Sequence, residues 1–432
     1  MGNQTSQNPD ALPQPIGEFR PVDEWQAHIA HIFYAQRAGR LHEFYQTFAT
    51  ADYRLAHALA TDYYQRVRVR DKGSAGGKAL TVMEWGCGNG NLAACFLSHL
   101  RHLDTEGAIY PRVRYVLVDN QADILKAAME HPDLAAHRQR VDRLDADAAN
   151  LGAVRDGTVD RILCNELWNE LPTKLMLKKG SEIEEEYIRP NLNEKKHAEI
   201  ADWSVFVKAF EAKDIAALKR FPSFLEEIVW EREYRKVEWK AVPYRKTISE
   251  FLKQIDEQIL LPINLGACAT LKEAKRVLAP DAVGFSSFDA GTAEQSVLND
   301  PEKPCYGQFG GQYSFMVNFA LAESVAKHEG IPKVEIEPQR EFVERNLNTN
   351  VLSLMDLLAT YPSAGSLRPW QQAGLVLKTL HALNERYASP YHRKIDFPLP
   401  ADPAPAEREA LERLLQELKS AGVPDTVAYL TE

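Results

Sequence analysis

Residues 80–90, LTVMEWGCGNG, decide the fold. The apolar run that ends at Trp85 is typical of a buried strand, and Gly86, Gly88 and Gly90 follow it at once. An amphipathic stretch at residues 92–100 then predicts a helix. A strand, a tight glycine turn and a helix in this order present backbone N–H groups and a helix N-terminus to a ligand at the edge of a sheet.

The same strand and helix unit repeats further along the chain. A helix is predicted at residues 124–129 and another at residues 271–278. The further predicted strands are residues 114–118, a strand ending within residues 144–148, residues 159–164 and residues 283–288. Strands that alternate with helices predict a Rossmann-like α/β fold, with a parallel sheet wound on both faces.

Three regions are expected along the chain. Residues 1–72 are predicted to form an N-terminal tail and a helical cover, because apolar residues recur there at helical intervals. Residues 73–345 are predicted to form the sheet domain, interrupted at about 181–270 by an insertion that resembles a hairpin plus helices. Residues 346–432 are predicted to form a helical C-terminal extension.

Composition limits the partners and the compartment. A chain of 432 residues with 45% hydrophobic and 26% charged residues is typical of a globular protein, and its net charge of -10 argues against a nucleic-acid partner. Five scattered cysteines lack the spacing of a zinc site or a disulfide framework, so we expect no metal and a reducing, cytoplasmic location. No apolar stretch is long enough for a membrane span, and no transit peptide or signal is visible. Gly2 and Ser6 do match the N-myristoylation pattern.

The acidic residue before the glycine turn distinguishes two ligand classes. A carboxylate at Glu84 would repel a pyrophosphate but suits the ammonium and sulfonium groups of S-adenosylmethionine. A dinucleotide site normally has the spacing G-x-G-x-x-G, whereas here the third glycine comes one place early and Asn91 stands at the expected position. We therefore predict S-adenosylmethionine as the cofactor, held by Gly86, Gly88 and Gly90, with a dinucleotide or a purely structural turn as alternatives.

Two further carboxylates are predicted to complete the cofactor site. Asp119 ends the second strand, where its carboxylate can accept both ribose hydroxyls; the alternative is an acidic helix cap before Gln121. Asp147 follows the third strand and is predicted to accept from the adenine amino group, with Asp145 in reserve. A solvated loop carboxylate is the alternative for either of the last two.

The segment at residues 165–172, NELWNELP, follows the fourth strand and is predicted to hold the methyl acceptor. Methylation of an amine or guanidine requires oxygen acceptors that align the nitrogen lone pair, and Asn165 and Glu166 provide them. A guanidinium also needs a carboxylate partner, and Glu170 would share a face with Glu166 if the segment were one helical turn. The alternative is a helix start that Asn165 caps, followed by ordinary surface glutamates.

These motifs resemble the MidA-like family of S-adenosylmethionine-dependent methyltransferases, whose mitochondrial member is a protein arginine methyltransferase needed for assembly of respiratory complex I. The most specific motif is Asn-Glu-aromatic-x-Asp-Ala-x-Pro, seen here at residues 165–172, and residues 288–291, FDAG, stand where the family tends to show Asp-Tyr-Gly. The chain departs from the family at Asn169 and Ala290, where the family has aspartate and tyrosine.

The resemblance implies N-methylation of a protein side chain, with arginine favoured, and a protein substrate as partner. A homodimer is a further expectation. A small-molecule N- or O-methyltransferase and a non-catalytic S-adenosylmethionine-binding assembly factor stay open as alternatives.

Overall fold

In the computed structural model, the described residues are 13–37, 53–72 and 77–347. The N-myristoylation pattern at Gly2 and almost all of the predicted C-terminal extension lie outside these residues. None of the helices within them combines the length and apolar composition that a membrane span requires.

The described elements are numbered in chain order. The α-helices α1 to α12 are Val22–Arg37, Arg54–Arg70, Asn91–Leu103, Ala122–Met129, Glu194–Glu199, Trp203–Ala212, Ile215–Leu218, Arg245–Leu252, Leu265–Val277, Gln295–Leu298, Phe319–His328 and Gln339–Leu347. The strands β1 to β15 are Gln14–Pro15, Arg20–Pro21, Leu80–Trp85, Val113–Asp119, Val141–Asp145, Arg161–Asn165, Lys174–Lys179, Glu182–Leu192, Ile228–Lys236, Leu260–Ile263, Gly284–Phe288, Gly291–Thr292, Tyr306–Phe309, Gln312–Phe315 and Val317–Asn318. Short 3₁₀ helices lie at Tyr110–Arg112, Pro132–Arg140, Trp168–Glu170 and Leu225–Glu227.

The described residues divide into two compact units. The parallel-sheet unit comprises residues 53–72, 77–168, 269–291 and 329–347. The antiparallel-sheet unit comprises residues 13–37, 169–268 and 292–328. The chain passes from one unit to the other between Trp168 and Asn169, inside the predicted acceptor segment.

The parallel-sheet unit confirms the predicted Rossmann-like fold. Its five strands have the order β11-β6-β3-β4-β5, and every neighbouring pair is parallel. Apolar residues on one face of the sheet form a buried cluster that includes Met83, Val118 and Ile162, together with Ala274 and Val277 of α9. The order reverses between β3 and β6, because the chain continues to β4 on one side and returns to β6 on the other. Open α/β sheets bind their ligands at the carboxyl ends of the strands beside such a reversal.

A buried polar cluster joins helix α2 to the amino end of β6. The Tyr63 hydroxyl donates a 2.6 Å hydrogen bond to the Asp160 carboxylate, which also pairs with Arg70. The backbone N–H of Asp160 donates to the carbonyl of Thr81 on β3 at 2.9 Å. This cluster lies at the end of the sheet opposite the glycine turn, so it positions a helix rather than a ligand.

The antiparallel-sheet unit is built around the long strand β8. β8 pairs with β7 and with the short strands β1 and β2, while β9 pairs with it over nine residues and β10 completes the sheet beside β7. The β7–β8 hairpin turns at Gly180, which has a φ of 62°. The change of sequence pattern at Lys179 and Gly180 is therefore the turn of this hairpin. The predicted hairpin and helices are present, and the hairpin begins at Lys174.

Candidate functional site

The glycine turn after β3 has a backbone that favours glycine at three positions. Gly86, Gly88 and Gly90 have φ angles of 70°, 51° and 80°, all in the left-handed region. The Gly86 N–H donates to the carbonyl of Val118 on β4 at 2.9 Å. A Cβ at Gly90 would lie 2.8 Å from the carbonyl oxygen of Ala128 in α4. The turn is therefore closely packed, without side chains at these three positions that would cover its backbone.

Glu84 lies inside the parallel-sheet unit with 4% of its surface exposed. Its carboxyl accepts a 2.8 Å hydrogen bond from the Tyr115 hydroxyl on β4 and another from the backbone N–H of Ala93 in α3. Burial raises the pKa of this carboxyl to about 8, and the charge of Asp119 adds to the shift. Glu84 thus ties β3 to the first turn of the helix after the glycine turn. Its predicted contact with the cofactor stays a prediction.

Asp119 is the last residue of β4, at the carboxyl end of the sheet. Its carboxylate accepts the N–H of Gln121 at 3.0 Å and also that of Asn120, so it shapes the turn into α4. Burial raises the pKa of Asp119 to about 6 in spite of these bonds. The capping alternative and the ribose prediction are compatible, because each carboxylate oxygen has two lone pairs.

The two candidates for the adenine amino group have different settings. Asp145 is the last residue of β5 and lies directly opposite Asp119 in the strand register. Asp147 comes after the strand, and its carboxylate accepts the N–H of Ala149 at 2.8 Å within its own turn. Both side chains are exposed. The predicted contact of Asp147 with adenine, and the reserve role of Asp145, stay predictions.

The acceptor segment begins at Asn165, which ends β6 and is opposite Phe288 in the strand register. Asn165 is therefore a strand residue and not the cap of a helix. Glu166 follows with a φ of 48°, and its N–H donates to the carbonyl of Phe288 at 2.7 Å. Because this left-handed residue precedes a 3₁₀ helix at Trp168–Glu170, the segment is not one helical turn. The condition under which Glu166 and Glu170 would share a helical face is therefore not met.

Asp289 holds the same segment from the neighbouring strand. It follows β11, and its carboxylate accepts the N–H of Trp168 at 2.7 Å. Leu167 lies against the glycine turn, since a Cβ at Gly86 would be 3.2 Å from its Cδ1. The structure thus brings the glycine turn and Glu166 to one edge of the sheet. Sequence reasoning did not assign Asp289 to the site, although its position directly after a strand was a signal.

The aromatic residue of the segment does not line an open site. The Trp168 ring is 4% exposed and packs on Phe285, with 5.7 Å between the ring centroids. Trp168 is therefore part of the packed interior of the parallel-sheet unit. The following residues belong to the antiparallel-sheet unit, where Asn169 is fully buried and the Glu170 carboxylate accepts a hydrogen bond from the Tyr34 hydroxyl.

The carboxyl edge of the parallel sheet fits an S-adenosyl ligand. The glycine turn has no side chains at Gly86, Gly88 and Gly90 that would cover its backbone, and the partly buried Asp119 carboxylate stands on the neighbouring strand β4. Within residues 13–37, 53–72 and 77–347, no group of three or more histidine, cysteine or acidic side chains could hold a metal ion.

Residues 58–282 match the model of a protein family described as "Putative S-adenosyl-L-methionine-dependent methyltransferase". A COG1565 superfamily member from Burkholderia thailandensis, solved with S-adenosyl-homocysteine, is 17% identical, with a TM-score of 0.50 over 86% of this chain and 84% of that one. A second COG1565 protein from the same organism is also 17% identical, with a TM-score of 0.46 over 88% and 91% of the two chains. No curated protein matches the chain.

Proposed function

The chain belongs to the family of S-adenosylmethionine-dependent methyltransferases, and we propose that it methylates a nitrogen atom of a protein side chain, with arginine as the leading acceptor. The family assignment confirms the resemblance to MidA-like methyltransferases and identifies S-adenosylmethionine as the cofactor. When bound, this cofactor supplies a methyl group from its sulfonium sulfur. The acceptor is our own inference from the residues at the carboxyl edge of the sheet.

The position of Glu166 is the observation that carries the proposal. Its backbone is fixed in an unusual conformation by the bond to Phe288, beside a turn that Asp289 caps. Non-glycine residues in the left-handed region cost free energy and occur preferentially at functional sites. A carboxylate carried on this backbone can accept N–H bonds from a guanidinium and orient its nitrogen toward the methyl group. When the nitrogen takes the methyl group, the cofactor would leave as its neutral thioether, and the proton that the nitrogen loses would pass to this carboxylate.

The composition of the segment at residues 165–172 also favours a nitrogen acceptor over an oxygen acceptor. An oxygen acceptor usually needs a general base or a metal ion to remove its proton. Residues 165–172 contain no histidine, so a histidine base would have to come from another part of the chain. The acidic and amide side chains of the segment instead provide hydrogen-bond acceptors. We further propose that the enzyme is cytoplasmic, that it binds a protein substrate and that it forms a homodimer.

The proposal is tested with radiolabelled S-adenosylmethionine and cell extract. Labelled protein should yield methylarginine on hydrolysis, and Glu166→Gln should reduce incorporation about 10- to 100-fold, because it removes a charge-assisted bond. The variant should still bind S-adenosylhomocysteine in calorimetry. Glu250→Gln is the matched control, since the Glu250 side chain is exposed and forms a surface ion pair with Lys253.

Each other outcome contradicts the proposal. Full activity in the Glu166→Gln variant would contradict the role assigned to Glu166. Label found only in a small-molecule methyl ether would show that the acceptor is a small molecule and not a protein. Binding of S-adenosylhomocysteine without transfer to any acceptor would favour the assembly factor.

A further inference from the structure

The loop between β5 and β6, residues 146–160, starts at the carboxyl edge of the parallel sheet. It begins beside the ribose candidate, because the N–H of Ala146 donates to the carbonyl of Asp119 at 3.0 Å. Asp147, the adenine candidate, is its second residue. The loop consists of turns and contains no helix, so its conformation depends on the element that it packs against.

Helix α9 holds the main chain of this loop at Leu151. The Leu151 N–H donates to Oε1 of Glu273 at 2.7 Å, and its carbonyl accepts from Nη2 of Arg276 at 3.0 Å. The Leu151 side chain is fully buried in the cluster that also contains Ala274 and Val277 of α9. Both backbone groups and the side chain of one loop residue therefore contact the same helix.

The Arg276 guanidinium uses all five of its donors at this place. Nε and Nη2 donate to the two carboxylate oxygens of Glu273 at 2.9 Å and 2.5 Å, which makes a bidentate pair. Nη1 donates to the carbonyl of Val154 at 2.9 Å and to the Asp156 carboxylate. A lysine could not make the same set of bonds, since an ammonium carries its donors on one atom and has no planar fork.

The end of α9 also holds the second half of the loop through the backbone. The Gly157 N–H donates to the carbonyl of Arg276 at 3.0 Å, and the Thr158 N–H donates to that of Val277 at 2.9 Å. Arg276 therefore binds the loop twice, with its side chain at residues 151–156 and with its carbonyl at Gly157.

A tight turn joins Asp147 to Leu151. The Asp147 carbonyl accepts the N–H of Asn150 at 2.8 Å, and its carboxylate accepts that of Ala149 at 2.8 Å. Leu151 is the next residue of the chain. The position of Asp147 is therefore set on one side by the bond of Ala146 to β4 and on the other by the contacts of Leu151 with α9.

We propose that Arg276 and Glu273 are positioning residues for recognition of the adenine ring, and that they act through the loop that carries Asp147. The inference concerns the cofactor of the family and not the methyl acceptor, so it is independent of the proposed nitrogen acceptor. A loop already held in its binding conformation loses less entropy when the ring binds, and its carboxylate can accept the amino group only at hydrogen-bond distance. Asp145 needs no such support, because strand pairing with Asp119 fixes it.

The experiment compares two ligands by calorimetry: S-adenosylhomocysteine and S-inosylhomocysteine, in which a carbonyl oxygen replaces the adenine amino group. The unsubstituted protein should bind the inosine ligand at least about tenfold more weakly, because two oxygen acceptors then face each other without a hydrogen. Arg276→Lys should raise the Kd of S-adenosylhomocysteine about tenfold and change that of the inosine ligand less than about twofold, because only the bond to the amino group is lost. The ratio of the two Kd values should therefore fall toward one.

Two comparisons separate recognition of the ring from other effects. Arg345→Lys is the matched control, because Arg345 forms a bidentate pair with Glu337 in the same unit, at 2.5 Å and 2.7 Å. It should leave both Kd values unchanged. Asp147→Asn should lower the ratio as Arg276→Lys does, and the double variant should lower it no further, because Arg276 acts through Asp147.

A second variant and a melting curve separate positioning from simple stabilisation of the fold. Loss of the Arg276 bonds lowers the melting temperature in either case, but only a positioning role changes the ratio of the Kd values in the folded protein. Glu273→Gln is the milder variant, since its amide oxygen can still accept the Leu151 N–H. It should remain folded by circular dichroism and lower the ratio by a smaller factor.

The outcomes distinguish this inference from the proposed function. An unchanged ratio in Arg276→Lys and Glu273→Gln would overturn the inference, and so would additive effects of Arg276→Lys and Asp147→Asn. Equal binding of the two ligands by the unsubstituted protein would overturn it as well. A lower ratio in Arg276→Lys, with no further loss in the double variant, would support it whether or not methyl transfer to a protein is observed.

Discussion

Asp119 shows how one residue can make cofactor binding depend on pH. Burial raises the pKa of its carboxyl to about 6. Both oxygens act as acceptors only in the ionised form, so only this form can accept hydrogen bonds from both ribose hydroxyls. Burial raises the pKa of Glu84 further, to about 8, so Glu84 titrates above Asp119. The expected titration between pH 5 and 7 is therefore that of Asp119.

We expect the affinity for S-adenosylhomocysteine to fall by about tenfold per pH unit below pH 6, because binding then requires release of one proton. Calorimetry between pH 5 and pH 8 measures this profile. Asp119→Asn should bind weakly at every pH and show a flat profile. Asp142→Asn is the control, since Asp142 is exposed on β5 and pairs with Arg114, and it should keep the original profile. A steep profile that survives in Asp119→Asn would contradict the assignment.

For single residues, the sequence predicted the position of a residue along its strand better than the contacts of its side chain. The glycines, Asp119 and Glu166 were all placed correctly at the carboxyl ends of strands, because strand ends follow from the apolar pattern. The partner of Glu84 could not be predicted, since Tyr115 lies on another strand and meets it only through the sheet register. The left-handed backbone of Glu166 likewise depends on a carbonyl of β11, far along the chain.

Helix α2 depends on the polar cluster at the amino end of β6. Asp160 is 3% exposed and accepts from the Tyr63 hydroxyl while pairing with Arg70. Burial and the Asp160 charge raise the pKa of Tyr63, so its hydroxyl stays a donor at any physiological pH. Both partners lie on α2, and the cluster therefore fixes this helix against the sheet.

Asp160→Ala should lower the free energy of unfolding by about 3 kcal/mol, because it leaves a buried hydroxyl and a partly buried guanidinium without this acceptor. Urea denaturation followed by circular dichroism measures the change. Asp142→Ala removes an exposed ion pair and should change stability by less than about 0.5 kcal/mol. Equal losses of unfolding free energy in the two variants would contradict the stabilising role of the buried cluster.

Among the secondary-structure elements, the parallel sheet was predicted from the sequence, whereas the antiparallel sheet was predicted only in part. A strand buried on both faces gives a continuous apolar run, which is why β3 was predicted with its observed bounds. The antiparallel sheet carries a mixed pattern of charged and apolar residues, as β8 shows with its sequence EIEEEYIRPNL. Such a pattern predicts a hairpin but not its partners, because β9 joins β8 from more than thirty residues away.

For the molecule as a whole, the net charge of -10 bears on the acceptor. A polyanion such as RNA would be repelled at long range, whereas a basic protein would be attracted. After reaction of labelled S-adenosylmethionine with cell extract, we expect the labelled macromolecule to be destroyed by protease and to resist nuclease. Raising the salt concentration should slow the transfer, since screening weakens the attraction. Label that nuclease releases would contradict a protein acceptor.

Strand β9 has one further consequence, which concerns storage of the protein rather than its reaction. Within the described residues, β9 pairs with β8 along one edge, and no strand pairs with its other edge. From Glu231 to Lys236 the strand carries a charged residue at every position except Tyr234. A second molecule that docked along this edge would have to dehydrate these charged side chains. These charged side chains therefore protect concentrated solutions from fibril formation, a hazard that a smooth apolar edge of this length would carry.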